Sequence, residues 1–578
     1  MGIEKFFNSL KNTYGTDIIN KFDKNLILDE EYLLIDFNSI IHNISSSISS
    51  SIKYLYHIFL ISKKVNTIFI DNEKYISIHL KNLQTEDSFI LNDINFNNLI
   101  IEIINESFFE NVKKNLDRYI VHKIYNYVTQ LVQYFPNLKL LYMAIDGVPL
   151  YAKMIEQRKR RYIGYIVDKA KQKILENYKK ELNTPGEYYN QYDFEKFIQN
   201  FVFNKNKISP STDFMIFLEQ YLIKYLDVLK NKFDIILDSF NNPGEGEKKI
   251  VFKIHKLPPK SKIMTYSPDG DVILLMLLEI NKKNIKIMRY DQQLQQLDII
   301  DINKLKEIIL VFMDNNEDYV IKDIVMLFTL LGNDFLPKID IINTNKHITV
   351  ILDCYKNIKS NIFGDIINWK LLQEFFILLK KKIINEKKNK FYRTKEWKLE
   401  VDQIINTNSI NYRKQIFNID YLTNSYNPDT FYNNKNKNKN KLINTNKITN
   451  KYICGFLWLY DYYIHHIIKY NYYYYNYEIS PNIDDIINLL NNIDYEKLYL
   501  KLNKYIILEE NYFTPKLQLK FITPKKLKIN LFIKNNRVNI FEYLNCKNAS
   551  YLSKCNIKKI KLKSGKKFLK KNSCIHCT

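Results

Sequence analysis

The sequence predicts an α/β fold, with a mainly parallel central sheet flanked by helices and a mostly helical C-terminal body packed on it. Three observations carry that expectation. Short apolar segments ending in an acid recur through the first half of the chain: YLLID to Asp36, LLYMAID to Asp146, FDIILD to Asp238 and IMTYSPD to Asp269. Longer amphipathic segments separate them, among them Val112 to Tyr134 and Phe214 to Lys230. Beyond about residue 350 the apolar spacing becomes helical and irregular.

Each acid-ended segment reads as a buried strand and each longer one as a helix, and that alternation builds a parallel sheet. Ligands of such sheets bind outside the carboxyl ends of the strands, which is where Asp36, Asp146 and Asp269 should meet. After LLYMAID the turn Gly147, Val148, Pro149 leads into a predicted helix from Ala152 to Tyr162. From Phe431 to Lys451 the chain is Asn/Lys low complexity, with little to bury, and is expected to be a disordered linker. The expected units are a large N-terminal domain (1–350), a helical connection (351–430), the linker (431–451), an aromatic-rich segment (452–545) and a basic Cys-containing tail (546–578).

At 578 residues the chain exceeds a single core. Its net charge of +24 favours a polyanionic partner, because clustered Lys and Arg release counterions from phosphates. Part of that charge is compositional, since the abundance of Lys, Asn, Ile and Tyr is what an A/T-rich genome, a viral one included, encodes. Six cysteines are too sparse for a secreted disulfide scaffold, and a reducing compartment fits them better. No apolar leader opens MGIEKFFNSL, no uncharged run has transmembrane length, and Phe6 stands where acylation at Gly2 favours Ser or Thr. The cytoplasm is the expected setting, with the nucleus open as an alternative.

The chemistry is concentrated in acids. PGEGEKK places Glu245 and Glu247 around a glycine, SPDGDVILL does the same with Asp269 and Asp271, and LLGNDFLP supplies Asp334. Carboxylates two apart on extended backbone point the same way. A lone pair of this kind is most often a solvated loop, but recurrence after successive strands is different. Gathered carboxylates repel, and divalent cations with hard oxygen ligands, Mg²⁺ or Mn²⁺, relieve that repulsion. Two such ions can activate water against a phosphodiester. On the predicted helix Lys153, Gln157 and Arg160 share one face with Arg161 at its edge, a surface suited to a terminal phosphate. Arg158 and Lys159 should point to solvent or to a nucleic-acid backbone.

Together these motifs resemble the Xrn-type 5'-to-3' exoribonucleases, in the same order and over most of the chain. MGIEKFF resembles that family's N-terminus, LLIDFNSIIHN its first metal-binding strand, and DGVPLYAKMIEQRKRR its 5'-phosphate segment; NNPGEGEKKI, SPDGDVI and LLGNDFLP follow. The resemblance implies a PIN/flap-nuclease-like catalytic domain whose metal ligands are Asp36, Asp146, Glu245, Glu247, Asp269, Asp271 and Asp334. It implies two ions, Mg²⁺ or Mn²⁺, and a 5'-monophosphate pocket of Lys153, Gln157, Arg160 and Arg161, with His42 contacting the terminal nucleotide. The implied substrate is single-stranded RNA degraded processively to mononucleotides by a monomeric enzyme, with a decapping enzyme as a source of 5'-monophosphate ends.

YICGFLWLYDYYIHH resembles the family's aromatic C-terminal segment, where Trp458 is assigned to packing. Lys248 departs from the family's usual His. Cys546, Cys555, Cys574 and Cys577 match no trusted zinc spacing and are expected to be free. Two rivals remain: a DNA flap endonuclease, disfavoured because no glycine follows Asp334 until Gly364 to build a glycine-rich hairpin, and a non-catalytic RNA scaffold, disfavoured by the seven acids.

Overall fold

The computed structural model describes residues 6–22, 27–62, 106–158, 160–161, 203–280, 283–291, 296–358, 360–386, 445–466, 473–477, 480–503 and 514–523. Among them, seven strands form one sheet: β1 (Ile19–Lys21), β2 (Tyr32–Asp36), β3 (Leu140–Ala144), β4 (Asp234–Asp238), β5 (Lys262–Tyr266), β6 (Asn284–Asp291) and β7 (Gln296–Asp301). Their spatial order is β1-β7-β6-β5-β2-β3-β4. The five from β6 to β4 are parallel, and β7 and β1 close one edge antiparallel. The chain moves outward from β2 through β3 to β4, then returns to β5 on the other side of β2. That reversal leaves a crevice at the carboxyl ends of β2 and β5.

The central strands β2 and β3 are apolar on both faces because helices cover both. Along β2, Leu34 enters one core while Leu33 and Ile35 enter the other, and β3 alternates in the same way through Tyr142 and Met143. One layer contains α2 (Phe37–Ser62), α3 (Glu106–Val132) and α4 (Asp213–Leu226); the opposite layer contains α1 (Phe6–Ile18), α5 (Gly246–His255), α6 (Asp271–Glu279), α7 (Ile302–Met313) and α8 (Asp318–Phe328). Both helices expected from amphipathic spacing are present as α3 and α4. The latter starts at Thr212, whose hydroxyl accepts from the Met215 amide at 3.3 Å.

Three expectations are corrected. FDIILD is a strand, but β4 is the sheet edge and Ile236 is 39% exposed. β3 and β5 stop at Ala144 and Tyr266, shorter than the segments read as strands, and Asp146 and Asp269 stand beyond their carboxyl ends, where the crevice was expected. The third concerns the linker.

C-terminal to the sheet come α9 (Thr344–Lys356), α10 (Trp369–Glu386), α11 (Thr445–Tyr463), α12 (Ile483–Leu490), α13 (Tyr495–Asn503) and α14 (Pro515–Ile522). Helix α11 begins inside the segment expected to be a linker, because Ile448 and Thr449 are buried and continue the apolar face of Tyr452 and Phe456. Residues 431–444, like the cysteine tail, lie outside the described residues. These helices share the core of the α5 face, and one apolar cluster runs from Phe6 to Ile522. Gly455 permits a close approach: a Cβ there would stand 2.6 Å from Leu336 Cδ2 and 2.8 Å from the Tyr473 hydroxyl. Trp458 is core, stacked on Tyr462 at 5.3 Å. Among the described residues, no helix is long and apolar enough to cross a membrane.

Candidate active site

All seven acids converge on the crevice, although not as extended pairs. Asp36 ends β2, while Asp146 and Asp269 follow β3 and β5 by two and three residues. Glu245 occupies the N-cap of α5 and Glu247 its first turn, and Asp271 opens α6. Each Glu or Asp pair therefore straddles a loop-to-helix junction, where the positive end of the helix favours negative charge. Asp334 follows Gly332, which adopts φ +88°, in a turn shaped by Asn333 Oδ1 accepting from the Phe335 and Leu336 amides.

Two glycines set the spacing. The Gly147 amide donates to Gly244 O and the Gly244 amide to Val148 O, both at 2.9 Å, which ties the DGVP turn to the PGEGE loop. A Cβ on Gly147 would lie 1.8 Å from Asn242 O, so this junction excludes any other residue. Gly246 donates its amide to Asp146 Oδ1 at 2.7 Å, and a Cβ there would meet Asp36 Oδ1 at 2.9 Å. The turn that opens the basic segment is thus part of the scaffold of the acids.

Burial raises the pKa of Asp36, Asp146, Glu245 and Glu247, and repulsion among the acids pushes the same way. The Lys153 ammonium lies 2.7 Å from Glu245 Oε2 and 2.5 Å from Asp334 Oδ2. Burial opposes its charge, but Glu245, Asp334 and Glu247 outweigh burial and hold its pKa well above the ordinary value. Partial burial pushes the Asp334 carboxyl up, yet Lys153 keeps it below the usual range. The buried Glu245 Oε1 has no hydrogen-bond partner. An all-oxygen donor set with an orphaned carboxylate oxygen fits a hard divalent cation.

The basic residues share this opening. Residues 151–158 and 160–161 are helical, and one cavity of 580 Å³ is lined by Asp36, Asp146, Glu245, Glu247 and Asp269 together with Lys153, Gln157, Arg160 and His42. Asp334 meets that lining through its ion pair with Lys153. Gln157 Oε1 accepts from Gln518 of α14 at 3.2 Å, Arg160 pairs with Glu156, and Arg161 Nη2 donates to Ser209 Oγ at 2.5 Å. Burial, with Lys205, Arg161 and Arg160 nearby, lowers the His42 pKa to about 4. Arg158 does not face solvent: it is buried, its guanidinium 5.0 Å above the Phe521 ring, because α14 covers that side of the helix. Lys159 lies outside the described residues.

Residues 60–291 match the family described as XRN 5'-3' exonuclease N-terminus. A candidate 5'-3' exonuclease of Acanthamoeba polyphaga mimivirus is 36% identical over 26% of this chain and 28% of its own. The 5'-3' exoribonuclease 1 of Saccharomyces cerevisiae is 26% identical over 42% of this chain and 17% of its own length. Over residues 60–291 the chain is similar to the N-terminal part of the XRN 5'-3' exonucleases. The matched stretches cover less than a third of either relative.

The XRN match contains Asp146, Glu245, Glu247, Asp269 and Asp271, whereas Asp36 precedes it and Asp334 follows it. Several contributors were not singled out in the sequence. Asn38 Nδ2 donates to Asp146 Oδ2 at 3.0 Å and Ser267 Oγ to Asp36 Oδ2 at 3.2 Å. The position of Asn38 on the helix opened by Phe37, two residues after Asp36, was the available signal. Lys205 and Arg289 also line the cavity, with no motif to mark them. Lys248 is buried behind Glu247; its ammonium donates to Tyr462 O at 3.1 Å and lies 3.9 Å from the Tyr462 ring centroid. Burial brings its pKa down to about 8 against the pull of Glu247 and Glu245. Helix α11 therefore backs the acid cluster through Tyr462 and Lys248.

Proposed function

We propose that the protein is a 5'-to-3' exoribonuclease that hydrolyses 5'-monophosphorylated single-stranded RNA processively to nucleoside 5'-monophosphates, with two divalent ions. The observation that carries this reading is the shared cavity, in which acids and Lys153, Gln157, Arg160 and His42 line one space. The exoribonuclease names of the yeast and other relatives support RNA as substrate.

Asp36, Asp146, Glu245, Glu247, Asp269, Asp271 and Asp334 would hold Mg²⁺ or Mn²⁺. When bound, the ions supply an activated water and charge stabilisation for the leaving 3'-oxygen. The protein's own groups position the RNA. Gln157 and Arg160 hold the terminal 5'-phosphate by hydrogen bond and charge, with Arg161 at the edge of the pocket. Lys153, bonded to Glu245 and Asp334, stands between the acids and the phosphate residues and offsets charge on both sides. His42, neutral through its lowered pKa, packs against the first nucleotide. A pocket for one phosphate excludes a cap or triphosphate, and each cut creates a new 5'-phosphate to occupy it. RNA turnover in the cytoplasm, after a reaction such as decapping has exposed a 5'-monophosphate, is the setting we propose.

The test is incubation of 5'-monophosphorylated RNA with wild type and Asp271→Ala, with and without Mg²⁺. Release of mononucleotides that requires both Mg²⁺ and Asp271 is the expected result. Tight RNA binding with no hydrolysis would sink the nuclease reading.

A further inference from the structure

Away from the cleft, His255, Glu279 and His466 bring three potential ligand atoms within 4.8 Å of one another. His255 Nε2 lies 2.6 Å from Glu279 Oε2, His466 Nε2 lies 3.5 Å from Glu279 Oε1, and the imidazole centroids are 4.6 Å apart. Each comes from the carboxyl-terminal end of a different element: His255 ends α5, Glu279 ends α6, and His466 follows α11 by three residues. The Phe252 ring packs against both imidazoles, at 6.5 and 6.1 Å. His466 adopts φ +53°, a conformation that a histidine rarely takes, and its buried Nδ1 has no hydrogen-bond partner.

We propose that His255, Glu279 and His466 form a second metal site, one that takes a borderline divalent transition ion, zinc by preference, with solvent at the remaining position. Two imidazoles and a carboxylate are the ligand types of such ions and not of Mg²⁺. Lys248 and Lys283 carry positive charge nearby, each already held, by Tyr462 O and Ile254 O. Their charge disfavours any cation bound by electrostatics alone, so affinity must come from nitrogen coordination. Binding replaces the proton that His255 and Glu279 share and releases it to solvent.

The site has a structural consequence. Helices α5 and α6 carry Glu245, Glu247 and Asp271 at their amino-terminal ends, and ten residues of helix place the proposed site about 15 Å away. A zinc ion would fasten the far ends of both helices to the segment after α11, holding the backs of the acid-bearing elements in place. The proposal does not depend on the nuclease reading.

The test uses the full chain stripped of metal and titrated with Zn²⁺ and, for spectroscopy, Co²⁺. Cobalt at a nitrogen-bearing site of low coordination number gives intense visible absorption, whereas cobalt among carboxylates and water gives weak bands. The expected result is a saturable intense spectrum displaced by Zn²⁺, lost in His466→Ala and Glu279→Gln, and retained in Asp271→Ala. Zinc should also raise the melting temperature of wild type but not of His466→Ala. Circular dichroism establishes that the variants fold, and His255→Gln serves as the substitute if His466→Ala does not. Weak bands only in wild type, or an intense spectrum that persists in the folded His variant, would overturn the proposal.

Discussion

Gly246→Ala probes the acid cluster with the smallest possible addition, one methyl group. The new Cβ would stand 2.9 Å from Asp36 Oδ1, 3.1 Å from Ala144 O and 3.3 Å from Asp146 Oδ1. Relief requires Asp36 to retreat by roughly half an ångström and Asp146, which accepts from the Gly246 amide, by about a tenth or two to reach van der Waals contact. Overpacking of this kind costs about 1–3 kcal/mol, offset by up to about 1 kcal/mol of helix propensity. The net loss of roughly 1–2 kcal/mol should lower the melting temperature by only a few degrees. Activity should suffer more, because displaced catalytic groups can cost about 100-fold in rate. Initial rates on 5'-monophosphorylated RNA at saturating Mg²⁺, measured beside thermal melts, separate the two effects. A folded Gly246→Ala enzyme with wild-type rates would refute the packing of Asp36 and Asp146 around this glycine.

Other outcomes follow from single contacts. Arg160→Ala removes a charge-assisted phosphate contact of about 1.5–3 kcal/mol, so kcat/KM on 5'-monophosphorylated RNA should fall roughly 10–100-fold, with little change on 5'-hydroxyl RNA. Gly455→Val should destabilise by at least about 1–3 kcal/mol in urea unfolding, since α11 cannot retreat from Leu336 and Tyr473. Asp323 is buried, accepts from the Tyr355 hydroxyl and the Ile362 and Phe363 amides, and has its pKa raised by burial from 3.8 to about 6. Its folded pKa is above its unfolded one, so the stability it contributes is complete below pH 3.8 and lost as pH rises through 6. Wild type relative to Asp323→Asn should therefore lose about 3 kcal/mol over that window, and parallel pH–stability curves would contradict it.

Much of the sheet was legible because local pattern and tertiary role coincide there. YLLID, LLYMAID and IMTYSPD are apolar on both faces, as strands covered on both sides must be, and the acids mark where each strand gives way to the crevice. FDIILD carries the same pattern but lies at the edge, since strand order is set by crossovers and not by composition. Recurrence drew attention to the acids and the family resemblance singled out the seven, although the mechanism of convergence differs: helix starts, not extended backbone, carry Glu247 and Asp271. Contacts between distant parts of the chain were invisible. Nothing near Arg158 announces Phe521, and nothing near Glu279 announces His466. Likewise, the last residues of the Asn/Lys-rich stretch become helix because the apolar face of α11 extends back to Ile448.

The most direct measurement compares degradation of one single-stranded RNA sequence bearing 5'-monophosphate, 5'-triphosphate or 5'-hydroxyl in Mg²⁺. The joint placement of acids and phosphate residues requires the monophosphate substrate to be degraded at least about tenfold faster than the other two, with mononucleotides as the product. Equal rates on all three ends, or internal cleavage products, would contradict the account.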